Sequence, residues 1–157
     1  MAVLWEHELA QIMEKEEKLL DEIYKCSKEK SRLLASGDVD EIDKVVSREQ
    51  TLAMQMQSAE KKRISFLREN RLSAKTLREI CEMARSDYKE ILQGNLETLC
   101  TKIKELKEIN KLNNELTKSR LEFYGKLRAL YSKSVFGYNK ENSHKIPAGT
   151  GLIDKSV

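Results

Sequence analysis

A chain of 157 residues with 29 Lys+Arg against 26 Asp+Glu has the length of one domain and nearly balanced charge, net +3. That balance argues against a dedicated nucleic-acid binder, and 35% charged residues with 39% hydrophobic ones are too polar for a compact α/β enzyme. The apolar residues are nevertheless too regularly spaced for disorder, and one proline and six glycines leave few places to break a helix.

The first predicted helix covers 2–35, with Leu9, Ile12/Met13, Leu19/Leu20, Ile23/Tyr24 and Leu33/Leu34 spaced mostly by threes, fours and sevens. Glu16 and Lys30 interrupt that stripe, which argues against a strict coiled-coil seam. Gly37 suits a left-handed helix end, and Asp38 with Glu41 forms a start signal three residues apart. So short a link between long helices predicts an antiparallel hairpin. The second helix covers 39–71, with Val39, Ile42, Val45/Val46, Leu52, Met56, Ala59 and Leu67 on one side. Two helices cannot bury such stripes alone, so a third is required. After a break at Asn70–Ser73, Ser73 is the predicted cap of a short helix through Leu77, Ile80, Cys81 and Met83. Asp87 and Glu90 are spaced to cap a final helix over 88–133, in which Gly94 and Gly125 are candidate bends. The expected fold is all-α: an elongated antiparallel bundle of three long helices and one short one over 1–133. A flexible C-terminal tail over 134–157 follows, holding the only proline.

Nothing in the sequence assembles a catalytic site. The histidines, His7 and His144, lie near the two ends, and no HExxH, GxGxxG, GxxxxGK[ST] or GxSxG string occurs. Carboxylates on amphipathic helices pair with lysines at the surface, and the Glu-x-x-His of bundle metal sites is missing, so no metal or cofactor is expected. Cys26, Cys81 and Cys100 have no metal spacing and fit three small hydrophobes in a reducing cytoplasm. No window approaches the roughly 20 apolar residues of a membrane span.

The last helix carries the functional signal. Ile109, Leu112, Leu116, Phe123, Leu127 and Leu130 form one stripe; Leu121, Tyr124, Arg128, Tyr131 and Val135 form a second about 100° away. Together they are wider than one packing seam requires. Either both stripes are buried in the bundle, or one packs inward and the other offers a groove to a partner helix. The second reading makes Leu112, Leu116, Leu121, Phe123, Tyr124, Leu127 and Tyr131 the partner-binding residues.

Two strings then resemble a known family: 33–42, Leu-Leu-Ala-Ser-Gly-Asp-Val-Asp-Glu-Ile, and 109–123, Ile-Asn-Lys-Leu-Asn-Asn-Glu-Leu-Thr-Lys-Ser-Arg-Leu-Glu-Phe. With Tyr138-Asn139 and the terminal Gly151-Leu152-Ile153-Asp154 they look like the FlgN-like flagellar export chaperones. The resemblance implies a cytoplasmic chaperone that binds the C-terminal amphipathic segment of flagellar hook-filament junction proteins. It would deliver them to the type III export gate and its ATPase components, with Tyr138 as the docking residue. The competing class is a self-associating helical scaffold, for which a weak homodimer would suffice. A nucleic-acid binder is the weakest reading, because acids interrupt the basic face of the last helix.

Overall fold

The computed structural model describes the backbone of residues 4–135 and the side chains of residues 4–131. Four helices follow in order: α1 (Trp5–Ser36), α2 (Val39–Glu69), the short α3 (Leu77–Glu82) and α4 (Ser86–Val135). No strand occurs among the described residues. The three long helices plus a short one are those the periodicity predicts.

Helix α1 is the centre of the bundle. Both α2 and α4 pack along it, and no Cα of α2 comes within 8 Å of one in α4. Its inward positions are Glu6, Leu9, Met13, Glu16, Leu20, Ile23, Ser27, Lys30 and Leu34, all buried and alternately three and four residues apart. This is an unbroken heptad seam. Glu16 and Lys30, gaps in the apolar stripe by sequence, occupy the seam and find partners on α2. Lys30 donates to Glu49 at 3.1 Å with both side chains buried, and Glu16 faces Arg63 at 3.0 Å. The interruption is one of chemistry, not geometry.

The α1–α2 turn is built as predicted. Gly37 has φ +85° and its N–H donates to the Leu33 carbonyl at 2.9 Å, closing α1 with a left-handed cap. Asp38 then accepts from the Glu41 N–H at 3.2 Å to start α2, while the Glu41 carboxylate turns to Lys44 instead of completing a capping box. A Cβ on Gly37 would stand 2.6 Å from the Arg120 guanidinium of α4. Gly37→Ala should therefore cost more than the about 1 kcal/mol of left-handed strain and lower the urea midpoint, because Arg120 must also move. A neutral result would show that Arg120 swings away freely.

Helix α2 ends in a second left-handed residue, Arg71 at φ +58°, with the Leu72 N–H reaching back to the Leu67 carbonyl at 2.8 Å. Glycine is the usual occupant there. The cap of α3 is not Ser73 but Thr76, whose hydroxyl accepts from the Glu79 N–H at 3.2 Å while Glu79 returns a bond to the Thr76 N–H at 3.0 Å. Ser73 has Thr76 three residues on, with no carboxylate to reciprocate; Thr76 has Glu79. Helix α4 begins at Ser86, one residue before the predicted Asp87 cap. Its first turn rests on the Arg85 carbonyl, and the buried Glu6 of α1 accepts from the Arg85 N–H at 3.4 Å. Asp87 lies instead within the first turn, where its charge suits the helix dipole. The helix then passes unbroken through Gly94 and Gly125, around which a side chain would meet nothing within 4 Å.

Two apolar clusters hold the bundle. The larger joins Leu9, Met13, Phe66, Leu72, Ile80 and Leu92 at the end where α1 begins and α2 ends. The smaller, at the Gly37 end, joins Cys26, Leu33, Leu34, Ile42, Val45 and Val46, with Leu116 the one contribution from α4. Cys26 and Cys81 are buried and donate weakly to the Val45 and Leu92 carbonyls, and burial pushes both thiols up from their ordinary pKa. Cys100 is exposed, unlike the small hydrophobe predicted.

Candidate partner-binding site

Helix α4 runs parallel to α1, in the up-down-up order a three-helix bundle requires. Its polar contacts with α1 keep a nearly constant sequence separation: 81 for Lys102–Asp21, 83 for Asn110–Ser27, 82 for Asn113–Ser31 and 86 for Arg120–Leu34. The α1-facing line of α4 is Leu92, Leu96 and Leu99, then Leu106, Asn110, Asn113, Thr117 and Arg120. The slot between Leu99 and Leu106 falls to an exposed Ile103, beside which Lys102 reaches Asp21. So the seam is apolar where α4 begins and polar toward the Gly37 end.

The polar stretch was not legible from apolar stripes. Asn113 is buried; its amide donates to the Ser27 carbonyl at 3.0 Å, and its oxygen accepts from the Ser31 hydroxyl. Arg120 donates to the Leu34 and Ala35 carbonyls at the C-terminus of α1. The last turn of α1 has no basic residue of its own, so α4 supplies the cation that the helix end favours. Asparagines and an arginine at heptad spacing were the available signal, since buried polar groups fix register where apolar ones merely stick.

At Arg120 the α1–α2 hairpin ends, and α4 continues. The same heptad line leads on to Tyr124, Leu127 and Tyr131, over which none of the described helices lies. They are 47%, 42% and 68% exposed, with Phe123 at 58% and Leu130 at 65% beside them. Leu121 lies at the edge of this surface, and Phe123 meets Tyr124 edge-on with ring centroids 6.0 Å apart. The fifteen residues from 121 to Val135 measure about 22 Å at 1.5 Å per residue.

The two predicted stripes thus fare differently from either simple reading. Leu116 is half-buried against the smaller core, and Leu112 is exposed on the flank of α4. From Leu121 to Tyr131 both stripes are exposed, which rules out burial of both in the bundle. Tyr138, the predicted docking residue, and the tail beyond 135 lie outside the described residues. Among the described residues no cluster of His, Cys, Asp or Glu is placed to hold a metal, and no helix is long and apolar enough to cross a membrane.

Among the described residues the longest helix thus presents exposed aromatic and aliphatic side chains in register with its own core seam. Residues 1–143 match the family described as FlgN protein, which spans every described element. The chain belongs to the FlgN family, the flagellar export chaperones. No curated protein and no solved structure matches it significantly.

Proposed function

We propose that this protein is a cytoplasmic export chaperone that holds the C-terminal amphipathic segment of flagellar hook-filament junction proteins on the distal part of α4. The observation that carries the reading is the heptad line that leaves α1 at Arg120 and continues exposed through Tyr124, Leu127 and Tyr131. A partner helix laid there takes up the line α1 has vacated, roughly end to end with it. It shields Leu121, Phe123 and Leu130 at the edges, with Leu112 extending the contact along the flank. Leu116 belongs to the core and supports the surface from below. Lys118, Lys126 and Arg128 against Glu122 make the flanks basic, so the best-fitting segment is apolar on one side and acidic beside it. Holding such a segment keeps it from assembling early, and the task needs no chemistry.

Delivery belongs, in this reading, to the tail, with Tyr138 docking onto the export gate or its ATPase components. Co-expression with junction-protein C-terminal segments should give a stable co-purified complex. Removing residues 136–157, which leaves α4 whole, should preserve that complex and abolish export. Equal loss of both would place the tail in the cargo site. A concentration-dependent dimer with no capture of any segment would assign the exposed face to self-association.

A further inference from the structure

The end of the bundle opposite the exposed face carries a separate feature. Between residues 61 and 78, seven basic residues stand against the single acid Glu69, a surplus of six in a chain whose net charge is only +3. Arg63 is engaged with Glu16, but Lys61, Lys62, Arg68, Arg71, Lys75 and Arg78 are all exposed. None of these six is ion-paired within the described residues. They come from the last turns of α2, the 70–76 turn and the start of α3, so they lie toward one end of the bundle, flanked by Glu60, Glu79 and Glu82. Glu79, the nearest acid in α3, is occupied by the Thr76 cap. Exposed cations that make no ion pair repel one another, and their side chains are not part of the buried core.

Arg71 is a second, independent observation. It sits at φ +58°, where glycine would be relaxed, and it is exposed. The left-handed turn closes α2 and lets Leu72 into the core, and the residue that makes it is an arginine, which adds an exposed cation to this end.

We infer that this end is a docking surface for an anionic membrane. Exposed Ile64 lies between Lys61 and Arg68 on one stripe of α2, and exposed Met83 follows α3, so apolar side chains are interspersed with the cations. Mixed short apolar and long basic side chains suit a headgroup layer, in which the former dip and the latter pair with phosphates. A single-stranded nucleic acid would want exposed aromatic rings to stack on, and the rings packed at this end, Trp5, Phe66 and Tyr88, are buried or partly buried. The hollow lined by Ser58, Lys61, Lys62, Ser65, Phe66 and Glu69 is open to solvent, and an acidic protein is the alternative occupant that the test separates. Binding here would lay the bundle against the membrane by one end and leave the distal part of α4 free, which does not depend on what α4 carries.

The test is co-sedimentation of the full chain with vesicles of phosphatidylcholine alone or with 30% phosphatidylglycerol, an amount chosen on the order of natural anionic content. Expected is sedimentation with the anionic vesicles only, weakening steeply as salt rises. Lys61→Ser/Lys62→Ser/Arg71→Gly should weaken it about fivefold per charge removed, roughly a hundredfold in all. Arg71→Gly relieves the strained residue, and Lys61 and Lys62 are exposed, so an unchanged melting temperature keeps the comparison clean. Equal binding to neutral vesicles, no binding to anionic ones at low salt, or an unaffected triple variant would overturn the inference. So would binding to polyglutamate with none to anionic vesicles, which would assign the surface to an acidic protein.

Discussion

Replacing Glu49 with leucine should lower the unfolding free energy by about 3–5 kcal/mol, because Lys30 is then left buried with no counter-charge. Adding Lys30→Met to the same chain should restore stability to the wild-type level or raise it by about 1–4 kcal/mol, since two apolar side chains of similar volume avoid the desolvation of both ions. Urea unfolding of the single and double variants measures the cycle directly. A cost under about 1 kcal/mol for Glu49→Leu alone would mean that Lys30 escapes to water and the seam is looser than its burial suggests. The Glu16–Arg63 pair repeats the design with a more accessible cation. Burial raises the Glu16 pKa, the Arg63 charge opposes that rise, and Glu60 adds to it. The contribution of Glu16 is therefore fully present below its ordinary pKa of 4.5 and is lost as pH climbs through the raised value. Ion pairs of this kind are poor sources of stability but good sources of register: a slip of α2 along α1 would leave two charges buried opposite apolar side chains.

The largest effect on binding should come from Tyr124→Ala/Leu127→Ala/Tyr131→Ala. The cargo segment should bind at least about a hundredfold more weakly, close to 3 kcal/mol or more, because aromatic anchors at the centre of an interface dominate its energy. The melting temperature should stay within about 2 °C of wild type, since the three side chains are exposed and alanine preserves the helix. Isothermal titration with a junction-protein C-terminal segment, beside a thermal melt, reads both quantities. Unchanged affinity would move the cargo off this face. A fall of several degrees in melting temperature would mean that the three residues belong to a core in solution.

How much of this was legible beforehand differs from element to element, for physical reasons. Helix number, the hairpin at Gly37-Asp38 and the all-α class follow from local rules: propensity, a 3.6-residue period and the need for a left-handed residue where the chain reverses. The FlgN resemblance was also carried by local strings, and the match over residues 1–143 agrees with it. The cap at Thr76 was legible too, as a Thr-x-x-Glu box, but Ser73 lay nearer the break and drew the boundary three residues early. Local sequence thus sets each helix and its apolar side. Which side faces what depends on how the helices pack. An apolar residue is informative about burial only once its neighbours are placed, so Leu116 and Leu127, eleven residues apart on one predicted stripe, end up against the core and beyond it. A charged residue is harder still: Lys30, Glu49 and Glu16 resemble solvated surface groups until a partner is found on another helix. The length by which α4 outruns the hairpin depends on where Arg120 meets the end of α1, a contact between residues 86 apart, and no local pattern contains it.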